Sequence, residues 1–391
     1  MRLLLALALM VSTIALAEPW QRHCIDNTSQ GADGVRLYDV DHDGLQDIVT
    51  GWEEGGVVRV YRNPGPEQAK QAWPLVTVGE AKNVEDAFAA DLNNDGQPDV
   101  VSFCEGNTQT INIHWAPKSI GDYWDADSWR TEVLPASKYM QQWMFGFAAD
   151  INRDGRVDII AAGKNKNAAV GWFEAPENPH ALDQWQWHPL WDLGWVMSMI
   201  PRHNDQGLFT GFILSNRREP WCGLIDFRIS SIQNKQVNWT TSFYLLPERE
   251  NLFMTLGVFL PGDPIQALVA AKGDDLIAFP LNGHTATSKT IPMPPDTGSG
   301  KGVAIDDIDL DGRNDIVFTC EHAEGLRGVM GYRQSGTKQN PQWQPFDIGG
   351  VAGTKFDRIE LIDLDGDGDL DLLTCEEKEN LGVIWYENPT R

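Results

Sequence analysis

A nine-residue acidic pattern recurs along the chain, and no other feature constrains the fold as tightly. It reads DVDHDGLQD from Asp39, DLNNDGQPD from Asp91, DINRDGRVD from Asp150, DIDLDGRND from Asp307 and DLDGDGDLD from Asp363. Carboxylate or carboxamide oxygens fall at positions 1, 3, 5 and 9 of every copy, and glycine at position 6. Like charges this close repel one another unless something gathers them. Alternate residues of a tight loop can aim their oxygens at one point, and the glycine permits the sharp turn. A hard cation at that point removes the repulsion: Ca²⁺ accepts six to eight oxygens at roughly 2.3–2.6 Å, whereas Mg²⁺ demands stricter geometry and sheds water reluctantly.

About five structural calcium ions are therefore expected, one for each loop. The expected ligands are Asp39, Asp41, Asp43 and Asp47; Asp91, Asn93, Asp95 and Asp99; Asp150, Asn152, Asp154 and Asp158; Asp307, Asp309, Asp311 and Asp315; and Asp363, Asp365, Asp367 and Asp371. An EF-hand begins similarly, but it needs a bidentate Glu at position 12 and flanking helices. Position 12 here is Thr50, Ser102, Ala161, Phe318 or Thr374. Each loop runs instead into a short apolar segment rich in β-branched residues (DIVTGW, DVVSFC, DIIAAG, DIVFTC, DLLTCE), the mark of a buried strand.

Spacing gives the number of units. The loops start 52, 59, 157 and 56 residues apart, and the long gap is close to three periods. Two degenerate units, PRHNDQGLFTGFILSN and LPGDPIQALVAAKGDD, fill it; both keep the strand and lose the carboxylates. A second ruler, Trp20, Trp73, Trp129, Trp187, Trp239 and Trp343, also counts seven, with one marker missing. A third, VYRNP, HWAP, GWFEAP and IWYENP, closes another strand between them. Four antiparallel strands repeated seven times at this period predict an all-β, seven-bladed β-propeller. The last unit lacks its fourth strand while WQRHCIDN near the start is spare, so pairing of these two ends is expected to close the ring.

The first 17 residues, MRLLLALALMVSTIALA, read as an export signal with an A-x-A cleavage site, leaving 18–391 as one domain in a secreted or periplasmic protein. A net charge of −25 argues against nucleic-acid partners, which need clustered Lys and Arg, and against anionic membrane surfaces. No later segment is apolar enough to insert into a bilayer, and a monomer is expected. Cys24, Cys104, Cys222, Cys320 and Cys375 are an odd number. Cys24 falls two strands from Cys375 in the inferred ring, beyond disulfide reach, so buried free thiols are expected.

With these loops the sequence resembles the FG-GAP or VCBS repeat proteins, whose D-x-[DN]-x-D-G-x-x-D loops also occur in integrin α-subunit propellers. The resemblance implies calcium in the loops joining the first and second strand of each blade, and ligands on the opposite face around the channel mouth. The two central units depart from the pattern and receive no metal.

On that opposite face the connections would bring together Glu85, Asp86, Glu105, Glu321 and Glu376 with Lys82, Lys164, Lys166, Arg217, Arg218, Arg358 and Lys378, and with Trp52, Trp143 and Trp195. Aromatic planes beside carboxylates and arginines suit a sugar, whose apolar ring face and hydroxyls they match. Recognition of a carbohydrate or a protein is the first expectation. The alternative is a lyase or dehydratase eliminating from an acidic sugar, with cations such as Arg217 and Arg358 on the carboxylate and His322 or Tyr139 as base. No G-x-S-x-G, H-E-x-x-H, P-loop or G-x-G-x-x-G pattern is present.

Overall fold

The runs that follow the acidic loops are strands buried along their whole length, because neighbouring sheets cover both of their faces. In the computed structural model, which describes residues 18–391 apart from 219–221, 247–248, 260–264, 272–274, 282–287 and 338–339, they are the second strands of their blades. The expected signal, 1–17, lies outside the described residues. After β1 (Gln21–Asp26) the first blade is β2 (Ala32–Tyr38), β3 (Asp47–Trp52), β4 (Val57–Tyr61) and β5 (Leu75–Glu80). Blade 2 is β6 (Val84–Ala90), β7 (Asp99–Cys104), β8 (Ile111–Trp115) and β9 (Arg130–Val133). Blade 3 is β10 (Gln142–Ala149), β11 (Asp158–Lys164), β12 (Ala169–Glu174) and β13 (Gln186–Asp192).

The two degenerate units are also full blades: β14 (Val196–His203) to β17 (Gln236–Leu245), with β15 (Phe209–Asn216) and β16 (Gly223–Gln233) between, and β18 (Asn251–Gly257), β19 (Gln266–Ala271), β20 (Asp275–Pro280) and β21 (Lys289–Pro292). Blade 6 is β22 (Ser299–Asp306), β23 (Asp315–Glu321), β24 (Val329–Thr337) and β25 (Asn340–Asp347). Blade 7 is β26 (Glu360–Ile362), β27 (Asp371–Glu376) and β28 (Gly382–Glu387), completed by β1. Seven four-stranded antiparallel sheets result among the described residues. The β1–β28 register, Gln21 opposite Glu387 and Cys24 opposite Ile384, joins the two ends of the chain as expected.

The ninth residue of each acidic loop holds its blade together. Asp371 is 1% exposed, and its carboxylate accepts the Leu364 N–H at 2.9 Å and the Asn388 N–H at 2.9 Å, tying the loop to the end of β28. Asp47 does the same with Val40 and Asn63, Asp99 with Leu92 and Ala116, and Asp158 with Ile151 and Ala175. Asp315 accepts the Gln334 N–H at 2.7 Å. Asp371→Ala should therefore strand two buried N–H groups and cost about 3 kcal/mol. Urea titration of variant and parent at saturating calcium checks this, and a midpoint shift within error would remove the stapling role.

Tryptophans at the repeated positions pack between blades: Trp73 and Trp385 share a cluster with Trp52, and Trp20 stacks on Phe346 with centroids 6.1 Å apart. All five cysteines are free thiols. Cys104, Cys222, Cys320 and Cys375 are buried as expected, but Cys24 is exposed because β1 is the outermost strand of its sheet.

Candidate functional site

The five acidic loops all join the first and second strands of their blades and so share one face of the ring. They also share one backbone form. The position 6 glycines have φ between 85° and 91°, and position 4 is left-handed in every copy, at His42, Asn94, Arg153, Leu310 and Gly366. A Cβ on Gly44, Gly96, Gly155 or Gly312 would meet nothing within 4 Å, so glycine is there for its φ and not for space. Position 1 stiffens the turn: Asp39 accepts the N–H groups of Asp43 and Gly44 at 3.1 Å each, and Asp91, Asp150 and Asp307 repeat the pattern. Asp363 accepts Gly366 and Gly368 instead.

Inside this frame, Asp39, Asp41 and Asp43 each bring a carboxylate oxygen within 4.8 Å of the others, and so do Asp307, Asp309 and Asp311. The position 3 side chains carry the telling detail. One oxygen each of Asp41, Asp309 and Asp365 (Oδ1) is buried with no hydrogen-bond partner. A buried carboxylate oxygen without a donor is costly, and a cation at the loop centre would satisfy it. Bases arrive from elsewhere in the fold, which the sequence did not suggest: Arg62 on Asp41 at 2.8 Å, Lys70 on Asp365 at 3.1 Å and Arg333 on Asp309 at 3.3 Å.

On the opposite face, two groups of side chains meet at the channel mouth. In the first, Lys164 lies 3.0 Å from Glu85 and pairs with Glu105, and its ammonium is 4.8 Å from the centroid of the Trp195 ring. Arg217 and Arg218 stand over the same ring at 4.6 and 4.3 Å. Arg217 also bonds Glu250 at 3.0 Å, and Arg218 bonds Asn165 at 2.9 Å. One indole thus carries three cations, an arrangement the ring quadrupole favours.

Of the second group, only Glu85 was singled out from the sequence. Asp33, Glu53 and Glu85 come within 4.8 Å, as do Asp33, Asp357 and Glu377. Lys301 lies 2.9 Å from Asp357, and Lys355 pairs with Glu377. Burial and then the neighbouring Asp357 drive the Asp33 carboxyl well above its ordinary range. Burial acts on Asp357 too, but Lys301 and a hydrogen bond from Asp33 outweigh it and hold that carboxyl far below the ordinary range. Burial, with the charges of Glu85, Glu54 and Glu377, pushes Glu53 up to about 7. Glu53, Lys301, Lys355, Asp357 and Glu377 lie within the connections WEEGG (52–56), GSGKG (298–302), TKFDR (354–358) and CEEKEN (375–380), whereas Asp33 and Glu85 stand on β2 and β6. The sequence places those segments on this face but does not say which side chains turn inward.

Several expected ligand residues have other work. Trp52 is 0% exposed, donates from Nε1 to the Tyr61 hydroxyl at 2.9 Å and is covered by Arg59, so it offers no ring face. Trp143 is equally buried, donates to the Ser137 carbonyl at 3.0 Å and packs edge-on to Trp187. Glu376 spends its carboxylate on the N–H groups of Thr354, Lys355, Lys378, Glu379 and Leu381. Asp86 is 1% exposed and bonds Arg36 through both oxygens, at 2.9 and 2.6 Å.

Arg358 pairs with Glu360 at 2.6 Å and lines channel cavities of about 310 and 680 Å³, inside the ring. Glu321 does reach the mouth face, and Lys378 stands at its edge, 3.6 Å from Glu54. The two proposed bases are open to solvent: the side chain of His322 is 71% exposed, with Nδ1 3.8 Å from Glu321, and Tyr139 is 75% exposed.

Seven blades closed end to end, with acidic glycine-turn loops on one face and a charged channel mouth on the other, define a β-propeller. Residues 23–102 and 307–374 match the FG-GAP-like repeat, and these stretches contain four of the five acidic loops. Among solved structures the fold is similar to BBS1N in complex with ARL6DN, at 10% identity and a TM-score of 0.53, covering 95% of this chain and 98% of that one. It is also similar to the β-propeller domain of Myceliophteria thermophila Cps50 (Swd1), at 10% identity and a TM-score of 0.56, covering 94% and 100%. At that identity the likeness is one of fold. No curated protein sequence matches the chain.

Proposed function

We propose that this is an exported, calcium-stabilised recognition propeller that binds a carbohydrate at the mouth opposite its calcium loops. Asp39, Asp41 and Asp43, and their counterparts in the other four loops, would hold the ions. Position 9 adds a carboxylate that burial pushes up to about 8 at Asp99 and about 7 at Asp158, Asp315 and Asp371, so a nearby cation keeps it ionised at neutral pH. The ion's part is structural: it neutralises the loops and fixes the blade turns.

The observation that carries the ligand reading is the convergence on one indole, Trp195, of Lys164, Arg217 and Arg218, with Glu85 and Glu105 beside them. Guanidinium donors and carboxylates gathered round one indole can bond the hydroxyls of a sugar, and any part of the ring left open by the three cations can meet its apolar face. A protein ligand is the competing reading, since BBS1N is in complex with ARL6DN. A glycan array separates them. Retention of a saccharide, weakened at least about ten-fold by Trp195→Ala, is the expected outcome; an array with no signal above background would sink the carbohydrate reading.

Elimination is kept as a second reading because of Glu53. Burial and the charges of Glu85, Glu54 and Glu377 push its carboxyl up to about 7, and it stands among the mouth carboxylates Asp33 and Glu85, which suits it to act as a base near neutral pH. An ultraviolet screen for unsaturated uronates should show no turnover if the protein only binds. Turnover abolished by Glu53→Gln would make it an enzyme.

A further inference from the structure

The two degenerate blades have lost the spaced acidic pattern, blade 4 keeping only Asp205 in its turn, and blade 4 carries arginines close by. Its turn between β14 and β15 is closed by a neutral amide: Asn204 Oδ1 accepts the N–H groups of Gln206 and Leu208 at 3.0 Å each. Next to that turn lies a cavity of about 670 Å³, on the same face as the acidic loops and between blades 4 and 5. One wall is Arg202, His203 and Arg228 of blade 4; the other includes Leu256, Val258 and Ile265 of blade 5. Ile265 is 56% exposed, which is unusual for an isoleucine in this protein.

The strand register explains why the arginines share this wall. Arg202 on β14 pairs with Gly211 on β15, and Gly211 pairs with Arg228 on β16, so all three stand in one row on one side of the sheet. The middle position has no side chain to fill the gap, and a Cβ there would meet the Phe227 carbonyl at 2.1 Å. Two like charges in a cross-strand row disfavour the fold unless they are compensated. One carboxylate compensates them in part: Asp226, 1% exposed, takes two hydrogen bonds from Arg228, at 3.0 and 2.9 Å, through Oδ2. Its Oδ1 lies 3.4 Å from Arg202 Nε without an aligned bond. Arg202 Nη2 is buried and has no hydrogen-bond partner. Two guanidinium charges thus face one carboxylate, with buried donor capacity left over, in a chain whose net charge is −25.

We propose that this cavity binds an oxyanion carried on an apolar body, a sulfate ester or carboxylate seated on Arg202 and Arg228 with its hydrocarbon against Leu256, Val258 and Ile265. The volume lies in the ~300–1,000 Å³ range of small-ligand pockets. A planar guanidinium can engage an oxyanion through two parallel hydrogen bonds, which gives the charged end its orientation. The site is independent of the carbohydrate reading, because it lies on the other face of the ring.

Isothermal titration of the full chain in calcium-containing buffer tests it, with hexyl sulfate and inorganic sulfate as probes. Hexyl sulfate should bind, and inorganic sulfate should bind at least about ten-fold more weakly, because it leaves the apolar wall unused. Arg202→Met should weaken hexyl sulfate by at least about ten-fold. Arg228→Lys, which keeps a cation on the buried Asp226 but loses the planar fork, should weaken it in the same direction, and Arg228→Met should do so if a thermal melt shows the variant folded. No binding of hexyl sulfate, or equal affinity in the parent and the Arg228→Met variant, overturns the proposal. Equal affinity for the two probes overturns the apolar half of it.

Discussion

Chelating calcium from the purified protein should lower its melting temperature by at least about 10 °C. The expectation rests on the loops as they fold. In the first and fourth loops three carboxylates converge at positions 1, 3 and 5, and the buried Oδ1 atoms of Asp41, Asp309 and Asp365 have no donor. Without an ion, each such loop keeps its own repulsion and a desolvated acceptor. An ion that binds only the folded loop stabilises it by about 2.7 kcal/mol per site at a hundred-fold excess over Kd. Five sites then exceed ten kcal/mol, and a long chain moves by a degree or two for each. Asp365→Ala, which removes the position 3 ligand of one loop, should abolish roughly one fifth of the calcium-dependent shift. Calorimetric scans with and without EGTA are the measurement, and superimposed traces would show that the loops do not depend on a metal.

The second large effect belongs to Lys301. Its ammonium and the Asp357 carboxylate are 2.9 Å apart, with side chains 6% and 4% exposed, and Asp33 lies against the same carboxylate. Lys301→Met removes the main cation that holds Asp357 ionised. A buried charge left without its partner costs about 3–5 kcal/mol. The loss should be greatest at pH 7–8 and shrink in acid. In the variant the folded pKa of Asp357 rises above its unfolded value, so the proton it takes up stabilises the fold at low pH and that contribution is lost as pH rises. Denaturant midpoints measured across pH would test the sign. A variant equally destabilised at all pH values would assign the cost to packing and not to the uncompensated carboxylate. A double variant with Asp357→Asn should recover part of the stability, since both buried charges are then gone.

Much of this was legible in the sequence because the information is local and repeated. Position 6 glycine, the ninth Asp and the β-branched run are each set by a turn or strand a few residues long, and five copies make the period readable. The mouth was legible only by segment. WEEGG predicted a connection on the correct face, yet its Trp52 turned into the core and its Glu53 into the acidic group, because strand β3 ends at Trp52 with the ring between blades. Trp143 is buried likewise, whereas Trp195, in a connection bridged to Lys164, stayed partly exposed.

The sequence by itself determined the repeat, the number of blades and the acidic turns, since each follows from contacts within about one repeat length; closure of the ring followed from counting strands, one spare at the start and one short at the end. Tertiary structure alone decided which carboxylates meet at the mouth, which tryptophans face solvent, and that arginines of blade 4 stand opposite an apolar wall of blade 5. Those juxtapositions depend on the angle between blades. Asp33 and Asp357, or Glu85 and Lys164, are brought together by ring curvature, and nothing in the spacing of residues along the chain encodes that curvature.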